Sequence, residues 1–450
     1  MMLARVLPLP VAKEVRALLT LWLGCLGLVG AGAAVSDGTL HSFGILIYCA
    51  GSVALGALAI GHEYTHRTLP LLLCQPASRA RFLLVKLLVL AVMLLILAGV
   101  AWVSVFYASS ATATIVVVSV LCSLFVAPWL TMLCRNPLAG AVFTIPIAAW
   151  IWFLVDLLVA APLKLVVFQR SMVGFCAVAA VLGWRAFMRL EATEGRGAHV
   201  RLPMATARLA PAHRRHPVWL LAKKELGLQQ LTLAVAGIYV VSWGALLLVG
   251  RFVDSSLLRG SHEDVPAALS LLYSGFLALV IGSMASAEER QIGTLEWQLL
   301  LPLAWWKQWL VKVGVVLGLA MVLLVGLPAL VLGGASIPHD KALWYVCAIL
   351  LLTSGSLYVS SLCSTGLRAL LLAVPVSLVT LFVMGALSSM LRLRRLTPAA
   401  LALFAAFLSV VLYSALENHR SAERRAWRIG RQVLVMAGCL ALGAALLAVL

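Results

Sequence analysis

The chain has 450 residues, of which 63% are hydrophobic and only 11% are Asp, Glu, Lys or Arg, with a formal net charge of +18. A soluble domain carries about 25% charged residues, so the composition excludes an ordinary globular protein and predicts an all-α polytopic membrane protein, since lipid forbids open strands and no strand-like alternation is present. The excess of Lys and Arg collects between apolar runs, which assigns it to membrane topology and anionic lipid and not to nucleic acid.

A bilayer core about 30 Å thick takes roughly 20 apolar residues per helix. Runs of that kind fall at residues 17–35, 43–61, 82–104, 111–134, 138–160, 171–188, 231–250, 267–287, 308–333, 342–364, 368–389, 398–416 and 433–450. The first, with its basic start and the small residues AGAAV after it, has the outline of a secretory signal. An internal counterpart argues against cleavage, because VAKEVRALLTL resembles LAKKELGLQQLTL from Leu221. Gly24, Gly27, Gly30 and Gly32 in the first run are read as permitting close helix packing.

The second run ends in GHEYTHRTL, where His62, Glu63 and His66 have the H-E-x-x-H spacing of a zinc protease. Residues four apart stack on a helix and can share one Zn²⁺ while the Glu takes a proton from metal-bound water. Asn136–Pro137 is similar to the N-P of intramembrane metalloproteases, but the Leu-Ala-Gly that follows lacks the acid that would bind metal. Asp156 is the acid set most deeply in an apolar run; it reads equally as a substrate or proton contact and as an outer-interface residue. The nine cysteines include no C-x-x-C and read as small packing residues.

Arg185, Arg189, Arg196, Arg201, Arg208, Arg214, Arg215, Lys223 and Lys224 crowd one inter-helix stretch. The positive-inside rule makes that stretch cytoplasmic, together with the N-terminus and its Arg5, Lys13 and Arg16. Arg392, Arg394 and Arg395 would lie outside in this scheme. The final run from Val433 is either a thirteenth span or a membrane-lying tail.

An internal repeat organises these runs. EYTHRTLPLLLCQPASRARFLLVK, residues 63–86, aligns without a gap on ERQIGTLEWQLLLPLAWWKQWLVK, residues 289–312. Glu63, Thr68, Leu69, Pro76 and Lys86 thereby match Glu289, Thr294, Leu295, Pro302 and Lys312. Leu133, Cys134 and Pro146 match Leu362, Cys363 and Pro375, and the pair Lys13–Glu14 matches Lys224–Glu225. The predicted architecture is two parallel six-helix transmembrane repeats, residues 1–188 and 221–432, joined by a basic cytoplasmic linker at 189–220 and followed by a hydrophobic segment at 433–450. In this repeat the Glu recurs, whereas the positions matching His62 and His66 are Glu288 and Ile292, so zinc is not what the copies share. Each Thr can cap a short helix lying along the membrane, each Pro can end it, and Lys86 and Lys312 can snorkel toward headgroups.

Glu289, Gly293-Thr294-Leu295, a run of leucines, Pro302 and Lys312 together resemble the signature of ATP-binding-cassette (ABC) transporter permeases of the type-two exporter class. The first copy departs at Arg67 and Pro70, and the second at Trp305–Trp306, where the first keeps Ser78–Arg79. The resemblance implies that residues 63–86 and 289–312 are cytoplasmic turns coupling the chain to an ATPase, through Glu63, Thr68, Pro76 and Lys86 and through Glu289, Gly293, Thr294, Pro302 and Lys312. It makes the segments around Lys13–Glu14 and Lys224–Glu225 connecting helices along the inner leaflet. No P-loop sequence occurs in the chain, so the resemblance implies two partner ATPase subunits that hold ATP and Mg, and the expectation for the chain itself is a transport subunit that is not an enzyme and binds no cofactor or metal. The expectation is one copy of the chain per complex, in the cytoplasmic (inner) membrane, exporting an unidentified substrate. The alternatives are a secondary transporter with fused six-span halves and the zinc protease; several mid-membrane charges would mark the former, and Asp156 is essentially the one present.

Overall fold

The computed structural model describes residues 9–33, 38–66, 68–74, 78–104, 110–159, 161–190, 217–252, 264–294, 303–331, 339–390, 398–420 and 426–449. Among them all regular structure is helical, with no strand. Each of the predicted apolar runs is helical over nearly all of its described residues. Among the described residues nine helices are long and apolar enough to cross a membrane, or ten if the bent pair Val218–Leu228 and Gln230–Ala245 is one span. The protein is therefore a multi-pass helical membrane protein. Pro76, Pro302, Arg67, linker residues 191–216 and Arg392, Arg394 and Arg395 lie outside the described residues.

The chain divides into two compact units, Met1–Arg201 and Leu202–Leu450. The first contains α1 (Leu9–Ala33), α2 (Gly38–Thr65), the short α3 (Leu69–Leu73), α4 (Arg79–Ser104), α5 (Ser110–Leu121), α6 (Ala127–Cys134), α7 (Pro137–Leu158) and α8 (Lys164–Met188). Its centre is α2, which packs on α1, α4, α6 and α7. Glycines permit this. A Cβ on Gly56 would stand 2.0 Å from the Ser123 carbonyl oxygen, one on Gly51 2.5 Å from Cys25 Sγ, and one on Gly61 2.3 Å from Pro137 Cβ. The close-packing expectation for Gly24, Gly27 and Gly30 is corrected here, since an added Cβ at each would meet nothing within 4 Å. Those glycines lie on outward or open stretches of α1, and the tight contacts belong to α2.

The second unit contains α9 (Pro217–Leu228), α10 (Gln230–Phe252), α11 (Asp264–Ile292), α12 (Trp305–Ala320), α13 (Leu327–Val331), α14 (His339–Leu362), α15 (Gly366–Met390), α16 (Pro398–His419) and α17 (Ala426–Val449). Here α11 is central, packing on α12, α14 and α15, and Gly282 would place a Cβ 2.5 Å from that of Ser356. The final run is a helix packed against α16. The two candidate connecting helices differ. α1 runs unbroken through Lys13 and Glu14 into the apolar run, whereas α9 and α10 meet at a 58° bend. The cause is Gln229, which is buried at the break; its side-chain amide donates to the Ile281 carbonyl at 3.1 Å, and its own carbonyl accepts from Thr232 Oγ1 at 2.6 Å.

Two π-helical turns interrupt spans, Cys122–Val126 between α5 and α6 and Met321–Gly326 between α12 and α13. Each precedes a proline, Pro128 or Pro328. A proline has no N–H to donate and its ring pushes away the carbonyl four residues earlier, so a widened turn ahead of it relieves both problems. Between α6 and α7, Arg135 takes a left-handed conformation (φ 52°) and the Asn136 side chain caps α7 by accepting from the Leu138 N–H at 2.9 Å. Asn136–Pro137 is thus a helix start.

Candidate functional site

The residues singled out by the repeat converge in space, once in each unit. In the first, Glu63 sits in the last turn of α2, Lys86 in the second turn of α4, and Lys13 and Glu14 near the start of α1. Lys86 Nζ donates to Glu14 Oε2 at 2.7 Å and to Glu63 Oε1 at 3.1 Å, and Lys13 Nζ donates to Glu63 Oε1 at 3.0 Å. In the second, Lys312 Nζ lies 2.9 Å from Glu225 Oε2 and 2.7 Å from Glu289 Oε2, and Lys224 Nζ donates to Glu289 Oε1 at 2.6 Å. Even the backbone contact recurs: Lys86 reaches the Ala59 carbonyl at 3.4 Å and Lys312 the Ala285 carbonyl at 2.7 Å.

Each cluster holds two cations and two anions, and so is neutral. The side chains of Lys86 and Glu63 are 2% and 1% exposed, and those of Lys312 and Glu289 are both 0% exposed. A lone charge at such a site would cost several kcal/mol of desolvation; mutual pairing with good geometry is what makes burial tolerable. The snorkelling expectation for Lys86 and Lys312 is corrected accordingly. Both turn inward because two carboxylates stand within reach, which compensates the ammonium better than a stretch along lipid would. Burial also means that Glu63 and Glu289 hold the start of the turn in place through Lys13, Lys86, Lys224 and Lys312, with no side-chain surface left for a partner.

The turn itself is set locally. Thr68 Oγ1 donates to the Glu63 carboxylate and its N–H to the Glu63 carbonyl at 3.0 Å, so this hydroxyl clamps the acid just before α3 begins. Thr294 Oγ1 approaches the Glu289 carbonyl at 3.4 Å. Gly293 follows α11 with φ +79°, and its N–H bonds the Arg290 carbonyl at 3.2 Å; this left-handed position is where glycine is needed to end a helix.

The rings of His62 and His66 lie 4.4 Å apart, as their spacing on a helix dictates. Glu63 points away from them into the lysine cluster and is therefore not placed as the base of a protease. Among the described residues no group of three or more His, Cys, Asp and Glu is gathered to hold a metal. Asp156, in the last turns of α7, accepts from Lys164 Nζ at 2.7 Å, with both side chains about a third exposed (31% and 28%). The pair joins the end of α7 to the start of α8.

A second polar assembly, absent from the sequence expectations, lies at the end of α16. Asn418 and Gln432 are buried and exchange amide hydrogen bonds of 3.1 Å in both directions. The available signal was simple: an Asn and a Gln in otherwise apolar helices. The chain matches no protein-family model, no curated protein and no solved structure.

Proposed function

We propose that the chain is the membrane permease of an ATP-driven ABC exporter, with two parallel six-helix halves fused in one polypeptide and two separate ATPase subunits bound to it. The observation that carries this reading is the recurrence of one four-residue charge cluster in each unit, Lys13–Glu14–Glu63–Lys86 and Lys224–Glu225–Glu289–Lys312. Each joins the helix that enters a unit to the turn between its second and third spans. By the resemblance, that turn meets the ATPase.

In this reading the clusters are rigid joints. An ATPase subunit pushes on residues 64–78 or 290–304, and the cluster passes the displacement to α1 or α9, because its buried members (Glu14, Glu63 and Lys86, or Glu225, Glu289 and Lys312) cannot part without stranding a charge. The same helix pairs also pack in both units: second on third, fourth and fifth, and fourth on fifth and sixth. Such a pattern suits halves that each move as one packed bundle during alternating access, with the N-terminus on the cytoplasmic side of the inner membrane.

Native mass spectrometry of the detergent-solubilised complex tests the stoichiometry. The expected particle holds one copy of this chain and two ATPase subunits. Two copies sharing two ATPase subunits would overturn the fused-pair reading, and transport by the purified chain alone, driven by an ion gradient, would replace it with a secondary carrier.

A further inference from the structure

The end of α16 and the residue after it touch the second unit's coupling segment at two places. Arg290 Nη2, near the beginning of that segment, donates to the Asn418 backbone carbonyl at 3.1 Å. Further along it, at the start of α12, the Arg420 guanidinium lies 3.8 Å from the Trp305 ring centroid, and the His419 and Trp309 ring centroids are 5.3 Å apart. The end of α16 thus grips the chain on both sides of residues 293–304.

Helix α17 in turn fixes the end of α16. The reciprocal amide pair of Asn418 and Gln432 is joined by Tyr358, whose hydroxyl donates to Gln432 Oε1 at 3.1 Å, and by Ser361, whose hydroxyl accepts from Asn418 at 3.3 Å. Gln432 Nε2 also donates to Glu417 Oε2 at 3.0 Å, and Arg431 pairs with the other oxygen of Glu417. Among the described residues of the first unit, Arg79 Nη1 at the start of α4 donates to the Met188 carbonyl at the end of α8 at 2.7 Å.

We propose that α17 is a brace on the second coupling segment: through Gln432 and Asn418 it positions Arg290 and restrains the turn that follows Glu289. Its effect on transport rests on the ABC reading; its effect on the turn does not. A buried side chain locked in several hydrogen bonds is a poor lipid anchor and a good register pin, because its polar atoms are satisfied in one docked position only. Holding α16 in one register holds the Asn418 carbonyl where Arg290 can reach it.

Hydrogen exchange of the full chain in lipid nanodiscs, without ATPase, is the test. Gln432→Leu keeps side-chain volume and removes the amide pair; amides of residues 286–294 should exchange about tenfold faster, the effect of losing one buried hydrogen-bonded pair, while residues 60–66 stay unchanged. Arg290→Met cuts the link at its other end and should release residues 286–294 while leaving 426–449 protected. The proposal is overturned if either folded variant leaves 286–294 at the wild-type rate, whether or not α17 itself loosens. Because no ATPase is present, this outcome is independent of whether the chain proves to be an ABC permease.

Discussion

Lys312 Nζ and Glu289 Oε2 meet at 2.7 Å with neither side chain exposed, and Lys86 and Glu63 meet at 3.1 Å in the same relation in the first unit. In both, the acid closes one helix and the lysine opens the next, so the pair spans the turn from inside. Each pair ties together the two helices that lead into and out of the turn.

Removing one buried cation should leave two carboxylates facing each other. Lys312→Met is expected to cost about 3–5 kcal/mol, the cost of breaking a buried pair. Lys13, 48% exposed, is a surface partner to Glu63, and Lys13→Met should cost under about 1 kcal/mol. Thermal unfolding in detergent compares them; equal losses would contradict the burial argument.

Glycine positions give a sharper contrast. Gly56→Ala drives a methyl to 2.0 Å from the Ser123 carbonyl and Gly282→Ala drives one to 2.5 Å from Ser356 Cβ, so helices must separate. Each should lower stability by about 1–3 kcal/mol. Gly24→Ala meets open space and should be neutral or stabilising by up to about 1 kcal/mol. Melting temperatures and the yield of folded protein report all three.

If the repeated acid matters and the histidines do not, Glu289→Ala should abolish most ATP-dependent transport while the double variant His62→Ala, His66→Ala retains most of it. Metal analysis of the purified wild-type chain belongs with this measurement. One equivalent of zinc, lost together with activity in the double variant, would return the protease reading.

Cys74, just after α3, is the exposed member of the nine cysteines. With the turn after α2 in the cytoplasm, an impermeant maleimide should modify Cys74 in inverted vesicles and leave it untouched in intact cells. Modification in intact cells would reverse the orientation.

The helices were legible because a run of about twenty apolar residues has few other uses. The members of the clusters were legible too, since Glu63, Lys86 and the Lys–Glu pairs recur in the second half. Their partnership was not: Lys86 and Glu14 are 72 positions apart, and hydropathy treats each lysine alone, which is why snorkelling looked adequate. The break before the run at 231 was visible in Gln229–Gln230, but the angle there was not; at the bend the Gln229 side chain reaches the Ile281 carbonyl, 52 positions away. Gly24 and Gly56 look alike in sequence and differ only in what lies opposite them.

The π-turns separate what the two units share from what they do not. A π-turn closes i→i+5 hydrogen bonds and so widens a helix locally. The one at Cys122–Val126 interrupts the fourth long helix of its unit, whereas the one at Met321–Gly326 interrupts the third. The charge clusters stand at matching positions in both units and the bends do not. A chimera that exchanges α2 and the third long helix with their counterparts would therefore keep the Glu–Lys pair and yet move the Met321–Gly326 bend into a helix that is unbroken in the first unit.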